Sequence, residues 1–277
     1  MLGESMPSPQ TISQAISDAM DYSIELESAR GNLTQFQVNR LAQMVSKSGT
    51  GLCQTLIRDA LVAEIERDYA AFDVAAERLI AHYPGESGML LNMSNVALFT
   101  FDADIALKLL KLAMSGLSTD ARALHHIAPV AWNCGDLELL MDVRRRLASM
   151  NGESESMRQW RSDEAVVNVL DGSGVGLDEY RAYVRGFYKL VREHTANLMN
   201  TRVGIDIDAV TYEDGQGKVV LQVFADLDPE ALEALDEALI DRDCDETEVS
   251  PQLAGIVSCL ARDFPANRVR EVMQRDA

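Results

Sequence analysis

Apolar positions recur at helical spacing over the first 200 residues and change to strict alternation at Thr201. Ile12, Ala15, Ile16 and Met20 make one apolar stripe, and Phe36, Leu41, Met44 and Val45 make a second, with Gly31-Asn32 breaking the chain between them. The run SKSGTG at 46–51 is a turn by composition. From 53 to 152 the pattern repeats every 34 residues, in units 53–86, 87–120 and 121–154. Leu56, Leu90 and Leu124 coincide, as do Ala63, Ala97 and Ala131, the small residues Ala60, Ser94 and Ala128, and the turn residues Asp68, Asp102 and Asp136. A period of this length predicts stacked helix–turn–helix units, each burying its apolar face only against its neighbours.

Within a unit the apolar faces are explicit. Leu90, Met93, Ser94 and Ala97 share one face of a first helix, and Ala106, Leu110 and Ala113 share one face of a second. Leu124, Ile127, Ala128 and Ala131 repeat the first set, with Gly135-Asp136 as the turn and Pro129 expected to bend the helix it sits in. Beyond 154 the period fades. Residues 155–170 read as a helix, DGSGVG at 171–176 as a break, and 177–200 as a second helix with Tyr180, Tyr183, Val184, Phe187, Leu190 and Val191 apolar. This pair is expected to cap the array.

With its leucine-x2-large-small-x2-alanine spacing, its acidic turn residue, and Tyr69 and Pro84 in the first unit, the stretch 53–154 resembles the tetratricopeptide family. The resemblance covers a little over a third of the chain and implies that the first helix of each unit lines a concave groove. The implied lining is Ile57, Leu61, Glu64 and Ile65, then Leu91, Asn95, Leu98 and Phe99, then Arg122, His125, Trp132 and Asn133. So apolar a lining suits an amphipathic helix or an extended apolar segment of another protein.

After Thr201, Val203, Ile205 and Ile207 alternate with Asp206 and Asp208, and Val219–Phe224 is a second strand, so 202–226 reads as a β-hairpin turning at DGQG. Asp228-Pro229 and Ser250-Pro251 each open a helix, the first with Leu232, Leu235, Leu239 and Ile240 apolar, the second with Leu253, Ile256, Val257 and Leu260 buried. A short helix is expected after Pro265. The fold class is therefore mainly α: a helical-repeat domain over 11–200 after a loose tail at 1–10, then a small acidic α+β module over 201–277.

Charge sharpens the division. The net charge is −19, and between Asp206 and Glu248 fifteen acids face only two bases, Lys218 and Arg242. Asp206, Asp208, Glu213, Asp214, Asp226, Glu230, Glu233, Asp236 and Glu237 are the expected acidic docking surface, suited to a basic protein or to imitating nucleic-acid charge. Between Ser28 and Arg58 there are four bases and no acid. This balance argues against general affinity for nucleic acid or anionic membranes. No apolar run approaches the ~20 residues that cross a bilayer. Four scattered cysteines without a C-x-x-C pair fit free thiols in a reducing, cytoplasmic setting.

Candidate chemistry is sparse. Asp241-Arg-Asp243-Cys-Asp245 imitates the start of a calcium loop but continues with Glu246 where glycine is needed and has Gln252 where glutamate is needed. DGQGK at 214–218 has the wrong spacing for a phosphate loop. Adjacent His125 and His126 face different sides of a helix, and no nucleophile or zinc signature is present. The expectation is a non-enzymatic adaptor or chaperone with no cofactor, no metal and a protein partner. The alternatives are a regulator using 37–56 as a DNA-binding helix-turn-helix, where the segment is acid-free, and an acidic nucleic-acid-mimicking inhibitor.

Overall fold

The computed structural model describes residues 12–117, 120–150, 161–212 and 217–265. Helices α1 (Ile12–Ser28) and α2 (Gln35–Lys47) precede three hairpins: α3 (Leu52–Glu66) with α4 (Tyr69–His82), α5 (Ser87–Phe99) with α6 (Ala103–Leu117), and α7 (Ala121–Asn133) with α8 (Leu137–Ser149). The helical-repeat architecture expected from the period is present, and the period is visible bond by bond. Arg67, Phe101 and Gly135, spaced by 34, all take positive φ (55°, 54° and 69°) and end the first helix of each unit. The next residue, Asp68, Asp102 or Asp136, donates its N–H back to Ala63, Ala97 or Ala131 (2.9, 3.4 and 2.9 Å). Its carboxylate then accepts from Ala71, Ile105 or Leu139 (3.0, 2.8 and 3.2 Å), capping the second helix. The coincident leucines and small residues are buried in all three units.

Helices α9 (Arg161–Ser173) and α10 (Leu177–Thr195) follow, then β1 (Val203–Thr211), β2 (Gly217–Ala225), α11 (Pro229–Asp243), α12 (Pro251–Ile256) and β3 (Val257–Asp263). The sheet order is β1-β2-β3, with β1 antiparallel and β3 parallel to β2, in the register Ile207–Leu221–Cys259. The expected hairpin is present, but one expected helix is corrected. The helix opened by Ser250-Pro251 stops at Ile256, and Val257 and Leu260, expected on its apolar side, belong with buried Cys259 to a third strand. A stretch as short as VSCLA fits either period, and β2's open edge decides it.

The capping expectation also changes. Helix α9 lies on β1 and β2, with Val169 packed where a side chain on Gly217 would stand, and it meets α8 through Arg144–Glu164. Helix α10 runs along the turn edge of the array instead. Gly135 permits this approach, since a Cβ there would come 2.9 Å from Val184 and 3.4 Å from the Arg181 backbone. Three arginines on α10 meet carboxylates at the turns and in the second helices in reverse chain order: Arg181 with Asp136 (3.3 Å), Arg185 with Asp104 of α6 (2.7 Å), and Arg192 with Asp102 and with Asp73 of α4. The chain then returns to the array's beginning. Asn197 N–H donates to the Arg67 carbonyl (3.0 Å), the Arg67 guanidinium to the Thr201 carbonyl (2.8 Å), and Asn200 accepts from Leu33 N–H (2.7 Å). The expected tail at 1–10, the helix after Pro265, and Glu213 and Asp214 lie outside the described residues.

Candidate functional site

The return of the chain creates a cleft of about 610 Å³ between the array and the sheet. One wall is α1, with Met20, Asp21, Ile24 and Glu27. Opposite are Asn92, Asn95, Leu98 and Phe99 of α5, with His126 and Asn133 of α7. Phe101 and Tyr188 form an aromatic floor, and Val203, Gly204 and Ile205 of β1 close the side. Phe101 stacks on Tyr188 at 6.2 Å, meets Tyr69 edge-on at 6.3 Å, and lies beneath the Arg67 guanidinium. The Asn95 amide folds back onto the Leu91 carbonyl (3.0 Å) and that of Asn133 onto the Pro129 carbonyl (2.8 Å), so both are held by their own helices.

Of the twelve residues expected to line a groove, this cleft gathers Asn95, Leu98, Phe99 and Asn133. Ile57, Leu61, Glu64, Ile65 and Leu91 do not line it, which is a correction: they are buried. Helices α1 and α2 pack on α3 where a preceding repeat would stack, so the first unit's inner face is core. Arg122 is exposed, and His125 and Trp132 are half-buried beside the cleft without lining it. Outside the twelve, the lining adds Asn92, Val96, Phe101 and His126 from the repeats themselves, and residues of α1, α10 and β1 from segments distant in sequence.

Behind Glu27 lies a buried charge cluster. Arg30, 3% exposed, pairs with Glu27 and Glu64 and donates to the carbonyls of Glu64 (3.2 Å), Ile65 (2.9 Å) and Met199 (2.5 Å). Burial, reinforced by the nearby Glu27 carboxylate, raises Glu64 well above the usual carboxylate range. Burial alone would also raise Glu27, but the Glu64 hydrogen bond and the Arg30 and Arg67 charges outweigh it and hold Glu27 low. The cluster thus favours a protonated Glu64 beside an ionised Glu27.

A pH dependence follows. Because its folded value lies above 4.5, Glu64 contributes stability below the ordinary carboxylate range that is lost as pH rises through the folded value. A glutamine side chain at this position would donate the same hydrogen bond without titrating. Thermal melts of Glu64→Gln from about pH 4 to about pH 8 are expected to show a Tm advantage over the parent that widens with pH. A pH-independent difference would mean that Glu64 is ionised in the fold.

The acidic surface divides into working and free groups. Asp226 is tied to Arg202 (2.8 Å), and Asp236 accepts from the Ala261 N–H of β3 (2.8 Å). Asp208 accepts from Ala209 N–H (2.8 Å), and Asp206 is half-buried and also engaged. Glu230, Glu233 and Glu237 project from the outer side of α11. All four cysteines are free. Cys259, in contact with Tyr183 and N–H-bonded to Asp243, is buried and pushed up to about 12, a thiol held protonated in the core. Among the described residues no cluster of three His, Cys, Asp or Glu could hold a metal ion, and no helix is long and apolar enough to cross a membrane.

Comparison with protein-family models, with curated proteins and with solved structures yields no match to this chain.

Proposed function

We propose that this chain is a non-enzymatic helical-repeat adaptor or chaperone, tetratricopeptide-like in its repeats, that holds a segment of another protein. The observation carrying this reading is the cleft between array and sheet, of a size and mixed apolar–amide lining that suit a peptide segment. The exposed carboxylates of α11 extend the reading: they would speed association with a basic partner, an effect that weakens with salt. Free thiols are consistent with a reducing, cytoplasmic setting. Two observations weigh against the DNA-binding alternative. Helix α3, its would-be recognition helix, buries Leu56, Ile57, Ala60, Leu61, Glu64 and Ile65, and its Arg58 is engaged by Asp59. A recognition helix must instead give a free face to the major groove.

Phe99 is half-buried in the cleft wall, so a charge there disturbs the site more than the core. Proteins retained from native host extract, identified by mass spectrometry, are expected to fall roughly tenfold or more with Phe99→Glu, the loss of one anchor contact of about 1.4 kcal/mol or more. Circular dichroism should stay unchanged. Retention equal to the parent's would remove the cleft from the binding surface.

A further inference from the structure

The two edges of the sheet are treated differently. On β3 the outward N–H groups are taken up by carboxylates of α11: Ala261 by Asp236 at 2.8 Å and Cys259 by Asp243 at 3.2 Å. On β1 the outward groups can be assigned from the pairing. Asp226 N–H donates to the Arg202 carbonyl (2.9 Å), so the even-numbered residues of β1 bond to β2. Val203, Ile205 and Ile207 therefore direct N–H and C=O away from the sheet. Ala209 is blocked by the Asp208 carboxylate and Ile207 is buried, whereas Val203 and Ile205 are half-buried and have no hydrogen-bond partner for these N–H groups among the described residues. Proteins usually blunt such an edge, since it is a template for another strand. Here Val203 and Ile205 face the cleft.

We propose that the cleft takes an extended, lysine- or arginine-bearing segment of a partner protein, which adds to the free edge of β1 as a fourth strand. This deepens the adaptor reading and rests on it. A peptide backbone offers donors and acceptors at the spacing of Val203 and Ile205, about 7 Å at strand rise. A strand there presents alternate side chains to opposite walls. The cleft lining carries two carboxylates, Glu27, already paired with Arg30, and the exposed Asp21, and no lysine or arginine. Arg202, at the foot of the strand, is already neutralised by Asp226. Backbone pairing supplies affinity without sequence preference, and the exposed Asp21 carboxylate selects for a basic side chain.

The probe is a fluorescein-labelled nine-residue peptide of alternating lysine and valine, titrated into the full chain and followed by anisotropy. Saturable binding is expected, lost at least tenfold when glutamate replaces lysine. Two N-methylated forms, one blocking the lysine amides and one the valine amides, should behave unequally, because only one set points at β1. Ile205→Pro removes one outward N–H at an edge position where proline is tolerated, and Asp21→Lys reverses one wall charge on an exposed helix face. Each is expected to weaken binding at least tenfold with an unchanged circular dichroism spectrum. Absence of saturable binding, or equal binding of both N-methylated peptides, would overturn strand addition. Should Ile205→Pro retain the native partner while Phe99→Glu loses it, the edge falls and the cleft reading stands.

Discussion

Arg30→Leu is expected to destabilise the fold by about 3–5 kcal/mol, the cost of breaking a buried ion cluster by removing one partner. The guanidinium holds the Glu27 and Glu64 carboxyls and three main-chain carbonyls, from Glu64, Ile65 and Met199, and its side chain is 1% exposed. Leucine would leave Glu27 without its nearest counter-charge and would remove the side-chain donor to the Ile65 and Met199 carbonyls. Through Glu64, Ile65 and Met199 the Arg30 guanidinium helps join the first hairpin to the chain entering β1, beside the Asn197–Arg67 and Arg67–Thr201 bonds, so the loss falls on the seam that forms the cleft. Urea unfolding at neutral pH measures the cost. Removing both carboxyls as well, with Glu27→Leu and Glu64→Leu, should recover only part of it, because the buried Arg67 guanidinium would then lose the carboxylates it faces. A single-variant cost below about 1 kcal/mol would mean that solvent reaches the cluster.

What could be read in advance depended on whether a residue's environment is local. The 34-residue period was legible because each unit meets its neighbours in the same way. Leu90 and Ala97 face the same surroundings as Leu124 and Ala131, and the turn carboxylates cap the same position of each second helix. The ends of the array break that equivalence. Ile57, Leu61 and Ile65 occupy the register of groove residues, but α1 and α2 cover them, and no pattern within the repeats announces which segment will pack there. The cleft is illegible for the same reason. Asp21 and Glu27 read as the solvated side of an amphipathic helix, and Val203 and Ile205 as an ordinary strand face, until α10 carries the chain back along the array. The third strand was missed because Val257–Asp263 has neither the length nor the flanking turn that separates strand from helix. Its pairing with β2 decides, and that is a tertiary fact. The acidic run was legible as charge but not as structure. Asp226, Asp236 and Asp243 are spent on Arg202, Ala261 and Cys259, leaving the outer side of α11 as the free part.

Helix α10 offers the sharpest contrast between ion pairs that look alike in sequence. Arg181, Arg185 and Arg192 all meet carboxylates at the turns or in the second helices of the array, but their surroundings differ. The Arg185 side chain is 51% exposed and its partner Asp104 is 59% exposed. A pair so open to water contributes little, and Arg185→Ala is expected to change stability by less than about 0.5 kcal/mol. Arg192 is 16% exposed, spans Asp73 and Asp102, donates to the Tyr69 carbonyl (2.9 Å), and lies 5.0 Å from the centre of the Tyr69 ring. Its aliphatic stem and its charge are both engaged, and it holds the second helices of two adjacent units to the helix that crosses them. Arg192→Ala is expected to cost about 2–4 kcal/mol, the lower end allowing for the half-exposed Asp73. The loss should concentrate where α10 crosses the array, raising amide exchange along 188–195 and in the turns at Asp68 and Asp102 before the rest of the repeats respond. Equal costs for the two arginines in urea titrations would show that the pairs act only as surface charges, and that α10 is held on the array by Tyr180, Tyr183, Phe187 and Tyr188 alone.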